Sequence, residues 1–280
     1  MYSDAFNKTI KLFSAQSQID CIVLGGSKAV GNDDEYSDFD VYVYLNAPLS
    51  IETRKALLSE TCSFIEMNNT FWETEDNCIL NDGAKIEMIY CDIPSTRQQM
   101  HSILVDGTAG LGFTTCTCFR VLESKILHDP QGLYRDLVSE FSMPYPEHLR
   151  QNIIQKNWAL LETSQQSFRL QIEKAIKRDD IVLVTRRIVG FMNSYFDIIF
   201  ALNRVYVTGE KKLDQLTIKM CKQLPRNFQE NLEKLLTLPK AEIMPVVSDM
   251  VDALKFMIRL YGMPKTFTDD ELSLRAFTQT

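Results

Sequence analysis

The sequence predicts an α+β fold: a mixed β-sheet with flanking helices first, then a bundle of helices. Three observations carry this. Short β-branched and aromatic runs at 21–24, 39–45 and 84–91 are confined to the first half. From Pro94 onward apolar residues recur at helical spacing instead. Met143, Pro144, Tyr145 and Pro146 form a linker between the two patterns, so domains are expected at 1–143 and 144–280.

Each element has its own signal. Residues 3–16 place Phe6, Ile10 and Phe13 on one helical face, with Ser3 or Asp4 as the N-cap. The apolar run 21–24 is stopped by Gly25 and Gly26 and reads as a buried strand ending in a tight turn, followed by a helix at Lys28, Ala29 and Val30. A second strand is expected at 39–45, a helix opened by Ser50 over 50–66, a further strand within 69–80, and another at 84–91. Asp129, Pro130, Gln131 and Gly132 mark a turn. Helices then follow at 147–176, 179–207, 212–223, 226–237 and 240–262, broken near Asp179, Gly209, Pro225 and Pro239.

Composition narrows the function classes. The chain has 280 residues, 45% hydrophobic, which supplies cores for one large or two ordinary domains. No apolar run approaches the ~20 residues of a bilayer span, and the N-terminus lacks a basic stretch followed by an apolar core. No membrane association is expected. Seven cysteines, scattered singly, favour a reducing cytoplasm over a disulfide framework. Residues 1–140 carry 10 Lys+Arg against 21 Asp+Glu, a balance of −11, whereas 141–280 carry 20 against 16, a balance of +4. An acidic front half argues against broad nucleic-acid binding, leaving tRNA as the one such partner the basic second half would suit. The asymmetry reads equally as ordinary surface solvation or as an acidic half for cations and a basic half for a polyphosphate.

The chemistry lies between Leu24 and Leu45. If 38–45 is extended, Phe39, Val41, Val43 and Leu45 point into a core, and Asp38 and Asp40 point together to the other face. Two carboxylates so placed repel unless one is protonated or a cation joins them. Hard oxygen donors favour Mg²⁺ or Mn²⁺. Just upstream, Gly25, Gly26 and Ser27 let a backbone and a hydroxyl approach phosphate oxygens.

Gly26 and Ser27, ten intervening residues, then Asp38, Phe39, Asp40 and Val41 resemble the signature of the polymerase-β-like nucleotidyltransferase superfamily. The size and the helical second half look like its aminoglycoside- and lincosamide-modifying branch and the uncharacterised bacterial relatives of that branch. Motif support covers 20–92; residues 145–262 match in general layout. The resemblance implies a nucleotidyltransferase-type sheet and transfer of a nucleoside monophosphate from a nucleoside triphosphate, with ATP the expected donor. The acceptor would be a hydroxyl on a small molecule, with pyrophosphate released. It further implies Asp38 and Asp40 as metal ligands and Gly25, Gly26 and Ser27 on the nucleotide. Glu87 would be the third ligand or the base, and Arg204, Lys211 and Lys212 would reach the triphosphate. A toxin-like enzyme acting on protein or tRNA, or a non-catalytic nucleotide sensor, are the alternatives. The protein would be a monomer or a homodimer.

Other features read as structural. Cys116 and Cys118 lack a second pair at zinc spacing and suit buried helix positions. His101, His128 and His148 form no triad pattern. Asp33, Asp34 and Glu35 read as a solvated loop, Lys28 as a surface lysine, and the Trp158 and Phe168 region as helix core.

Overall fold

A computed structural model describes residues 2–262. They form two compact units, one of residues up to 101 with Thr117–Met143, the other of Ser102–Cys116 with the residues from Pro144 onward. The segment Ser102–Cys116, sequentially within the first half, thus packs with the helical unit.

The first unit is built on a six-stranded mixed sheet. Its elements are α1 (Asp4–Ser14), β1 (Ile19–Leu24), α2 (Gly26–Val30), β2 (Phe39–Leu45), α3 (Ile51–Ser59), β3 (Cys62–Asn69), β4 (Thr74–Leu80), β5 (Lys85–Cys91), most of α4 (Ile93–Leu104) and of α5 (Cys116–Glu123), β6 (Lys125–His128) and α6 (Leu133–Phe141). The strand order is β3-β4-β5-β2-β1-β6. Only β2 and β5 pair in parallel, which the connection through α3, β3 and β4 makes feasible; every other pairing is antiparallel. The N-caps follow the sequence: Ser3 accepts from the Phe6 amide at 3.2 Å and Ser50 from the Thr53 amide at 3.2 Å. Phe6, Ile10 and Phe13 of α1, Leu58 of α3 and Val41, Val43, Ile86 and Met88 of the sheet fill one core. Strand alternation therefore commits Asp40, Tyr42, Glu87 and Ile89 to the opposite face.

The expected helix at 50–66 stops at Ser59, because β3 begins at Cys62 and pairs with β4. The single strand sought within 69–80 is the second arm of that hairpin. β6 went unforeseen: it is a four-residue strand whose place depends on pairing with β1. A buried network ties the hairpin to its neighbours. Arg54 of α3 pairs with Asp76 of β4 at 2.9 Å, Asp76 accepts from the Tyr90 hydroxyl of β5 at 2.7 Å, and the Asn68 amide donates to it at 2.8 Å.

The second unit contains α7 (Glu147–Trp158), α8 (Phe168–Lys177), α9 (Ile181–Asn203), α10 (Leu213–Met220), α11 (Phe228–Thr237) and α12 (Ile243–Met257). The expected helix at 147–176 is interrupted by a π-helical turn at Ala159–Thr163 and restarts where the Ser167 hydroxyl caps α8. Residues 240–262 likewise divide into a 3₁₀ turn, α12 and a π turn. Asp197 of α9, buried, accepts hydrogen bonds from the Thr114 amide at 3.1 Å and hydroxyl at 2.6 Å, pinning the segment that enters this unit. Among the described residues, no helix is long and apolar enough to cross a membrane.

Candidate active site

The site grows from the parallel pair. In the register of β2 and β5, Asp40 stands opposite Glu87, Phe39 opposite Ile86 and Val41 opposite Met88. Partners in one rung share a face, so Asp40 and Glu87 are side by side over the half of the sheet not covered by α1 and α3. Asp38, one residue before β2, joins them: it hydrogen-bonds with Glu87.

The turn after β1 closes on the same carboxylates. The Gly25 amide donates to the Asp40 carbonyl at 2.8 Å. At Gly26, a Cβ would lie 2.6 Å from Asp40 Cγ and closer still to Oδ2, and φ is +62°. Space and backbone conformation both demand glycine there. At Gly25 a Cβ would stand 2.7 Å from the Tyr42 ring. Gly25, Gly26, Asp38, Asp40 and Glu87 are therefore brought together, with Ser27 next in chain and half-buried.

Charge in this cluster is congested. Burial first, then the charges of Asp38, Asp40 and Glu75, push the Glu87 carboxyl up to about 7. Glu75 was missed from sequence. It lies on β4 two residues from Asn77, which pairs with Glu87, and it accepts from the Asn77 side chain at 3.2 Å. The alternation of Glu75 and Asn77 against buried Asp76, Cys78 and Leu80 is the signal that could have found it. The donors are all hard oxygens, and their mutual repulsion suits a divalent cation. As placed, no group of three or more His, Cys, Asp and Glu among the described residues is arranged to hold a metal ion.

The remaining candidate residues have the following surroundings. Arg204 caps α9 in the left-handed region at φ 54° and pairs with Glu147 at 3.1 Å. Glu147 is held down to about 2, chiefly by its hydrogen bond with Arg150. Lys211 and Lys212 are exposed in the turn before α10. All three belong to the second unit. Lys28 departs from the expected surface lysine: its side chain is 17% exposed, its ammonium sits 4.7 Å from the centre of the Phe39 ring, and Asp33 lies 3.8 Å away. His148 is engaged with the Val105 carbonyl at 3.0 Å, a structural contact. Asp34 organises its own loop, accepting from the Tyr36 amide at 3.1 Å.

Residues 112–212 match a family described as a domain of unknown function, DUF4037. No curated protein matches the sequence. Among solved structures, the chain is similar to a nucleotidyltransferase-like protein from Exiguobacterium sibiricum, with 9% identity, a TM-score of 0.45, and 91% of this chain and 74% of that one covered. It is also similar to an aminoglycoside 6-adenyltransferase from Bacillus subtilis, with 10% identity, a TM-score of 0.30, and coverage of 95% and 94%. A third is a Thermotoga maritima CCA-adding enzyme complexed with tRNA, with 12% identity, a TM-score of 0.29, and coverage of 95% and 85%. Likenesses this loose carry no inference about activity.

Proposed function

We propose that this protein is a nucleotidyltransferase of the polymerase-β-like kind, moving a nucleoside monophosphate from a nucleoside triphosphate onto a hydroxyl of a small molecule and releasing pyrophosphate. The observation that carries the reading is Asp40, which shares a rung with Glu87 while its carboxylate rests against Gly26. A carboxylate cluster for cations is thereby joined to a turn open to phosphate.

Asp38 and Asp40 would hold Mg²⁺ or Mn²⁺. When bound, the cation supplies positive charge to the phosphate oxygens. Gly26 and Ser27 offer the triphosphate a backbone without side-chain obstruction and a hydroxyl donor. Glu87 takes the proton from the attacking hydroxyl, a role suited to a carboxyl lifted to about 7. Arg204, Lys211 and Lys212 are assigned to the pyrophosphate leaving group on the resemblance alone. Glu75 extends the negative face beyond Glu87, which supports a cationic acceptor such as an aminoglycoside. A cytoplasmic setting and ATP as donor belong to the same proposal.

The test is release of pyrophosphate from each nucleoside triphosphate with Mg²⁺ and a panel of hydroxyl acceptors. Asp38→Asn and Asp40→Asn are expected to lower turnover by about 10³-fold or more. Wild-type rates in both variants would end the reading.

A further inference from the structure

We infer that Arg120 is the arm of an anion site on the face that carries Asp40, taking oxygens of a phosphate chain laid across Tyr42 beside the Gly25 turn. The choice of phosphate rests on the proposed nucleotidyl transfer; the site itself rests on geometry.

Tyr42 follows Asp40 by two residues in β2, so the two share a face about 7 Å apart along the strand. The Arg120 guanidinium carbon lies 4.4 Å from the centre of the Tyr42 ring. One edge of that ring abuts Gly25, as the 2.7 Å approach to an added Cβ shows. The residue after α5 closes on the same turn: the Ser124 hydroxyl would be 3.4 Å from a Cβ at Gly25, and it donates to the Arg120 carbonyl at 2.6 Å. Arg120, Tyr42, Ser124 and the glycine turn thus form one patch within the first unit.

A guanidinium carries five N–H donors in a fork that matches phosphate oxygens. The contact with the Tyr42 ring uses none of these N–H donors on an oxygen acceptor. Among the described residues, no acceptor takes those donors and no carboxylate reaches ion-pair distance. Its neighbours are Tyr42, Tyr44, Cys91 and, at longer range, Glu73. The buried Tyr44 hydroxyl likewise closes no hydrogen bond of normal geometry. The buried arginines differ: Arg54 has Asp76 and Arg150 has Glu147. Arg120 is half-buried, so its donors are open to solvent and to an anion arriving over the same face. A polyphosphate is the anion that would span from Arg120 to cations held by Asp38 and Asp40. A single carboxylate is too short.

Calorimetric titration of the full chain with tripolyphosphate, pyrophosphate and inorganic phosphate, with Mg²⁺ present, tests the site. Wild type is expected to prefer the longest anion. Arg120→Gln should weaken tripolyphosphate binding by about tenfold or more, and Arg120→Lys, which keeps charge but not the fork, by less. In turnover the loss should fall on KM for the nucleotide rather than on kcat. Equal binding by wild type and Arg120→Gln, no tripolyphosphate binding by wild type, or equal affinity for all three anions would overturn the inference. If Arg120→Gln lacks native near-ultraviolet dichroism, Arg120→Lys decides: binding equal to wild type counts against the forked contact. The two readings fail separately. Arg120-dependent tripolyphosphate binding without pyrophosphate release sinks nucleotidyl transfer alone, whereas Asp40-dependent turnover with an unchanged KM in Arg120→Gln sinks the anion site alone.

Discussion

Asp40 and Glu87 stand on the same rung of the parallel β2–β5 pair, so two carboxylates share one face at the centre of the sheet. Burial of Glu87, and after it the charges of Asp38, Asp40 and Glu75, are why the Glu87 proton is held so firmly.

That relationship makes stability depend on pH in the absence of divalent cation. Glu87 is raised from its ordinary 4.5 to about 7 in the folded state, so between those values the folded chain keeps a proton the unfolded chain has lost. Stability in EDTA should therefore fall as pH rises through 4.5 to 7 and level off above. Thermal melts of Glu87→Gln should lack this part of the slope. Adding Mg²⁺ should raise the melting temperature by several degrees at pH 8 and by less at pH 5.

Gly26→Ala should disable the site with little effect elsewhere. The added methyl collides with the Asp40 carboxylate and the backbone is strained at φ +62°. A destabilisation of about 1–3 kcal/mol is expected, with turnover reduced about 10²-fold by displacement of Asp40. Denaturant unfolding and pyrophosphate release measure the two separately.

Asp76→Ala should be among the most destabilising single changes in the first unit. It leaves the Arg54 guanidinium, 4% exposed, without its carboxylate and Tyr90 without its acceptor. The expected cost is about 3–5 kcal/mol. Adding Arg54→Met should recover part of it, and a double-mutant cycle in urea would show the coupling.

Arg204→Ala, Lys211→Ala and Lys212→Ala test the cations of the second unit. If they meet the triphosphate, each should raise KM for the nucleotide roughly tenfold, with kcat for Asp40-dependent turnover following. The exposed Arg204–Glu147 pair contributes at most about 1 kcal/mol to stability, so an unchanged melting temperature with unchanged KM in all three would remove them from the site.

Local pattern was enough for part of this. Alternation along 38–45 separates Asp38 and Asp40 from Val41 and Val43 whatever the rest of the chain does, and Gly25 and Gly26 announce a turn by themselves. Glu87 stood out as a charge within an apolar strand. The hairpin of β3 and β4 was blurred, because apolar positions in 50–66 also satisfy a helical period and only pairing with β4 decides between them. Arg120 gave no local sign at all, being one cation on an amphipathic helix.

By itself, then, the sequence determined the α+β order, the paired aspartates and the glycine turn, since each depends on neighbours a few residues away. Tertiary structure alone decided that Glu87 takes the rung beside Asp40, that Glu75 adds its charge, and that Arg120 lies over Tyr42. These are contacts across tens of residues, set by strand register and helix packing, and no local period encodes them.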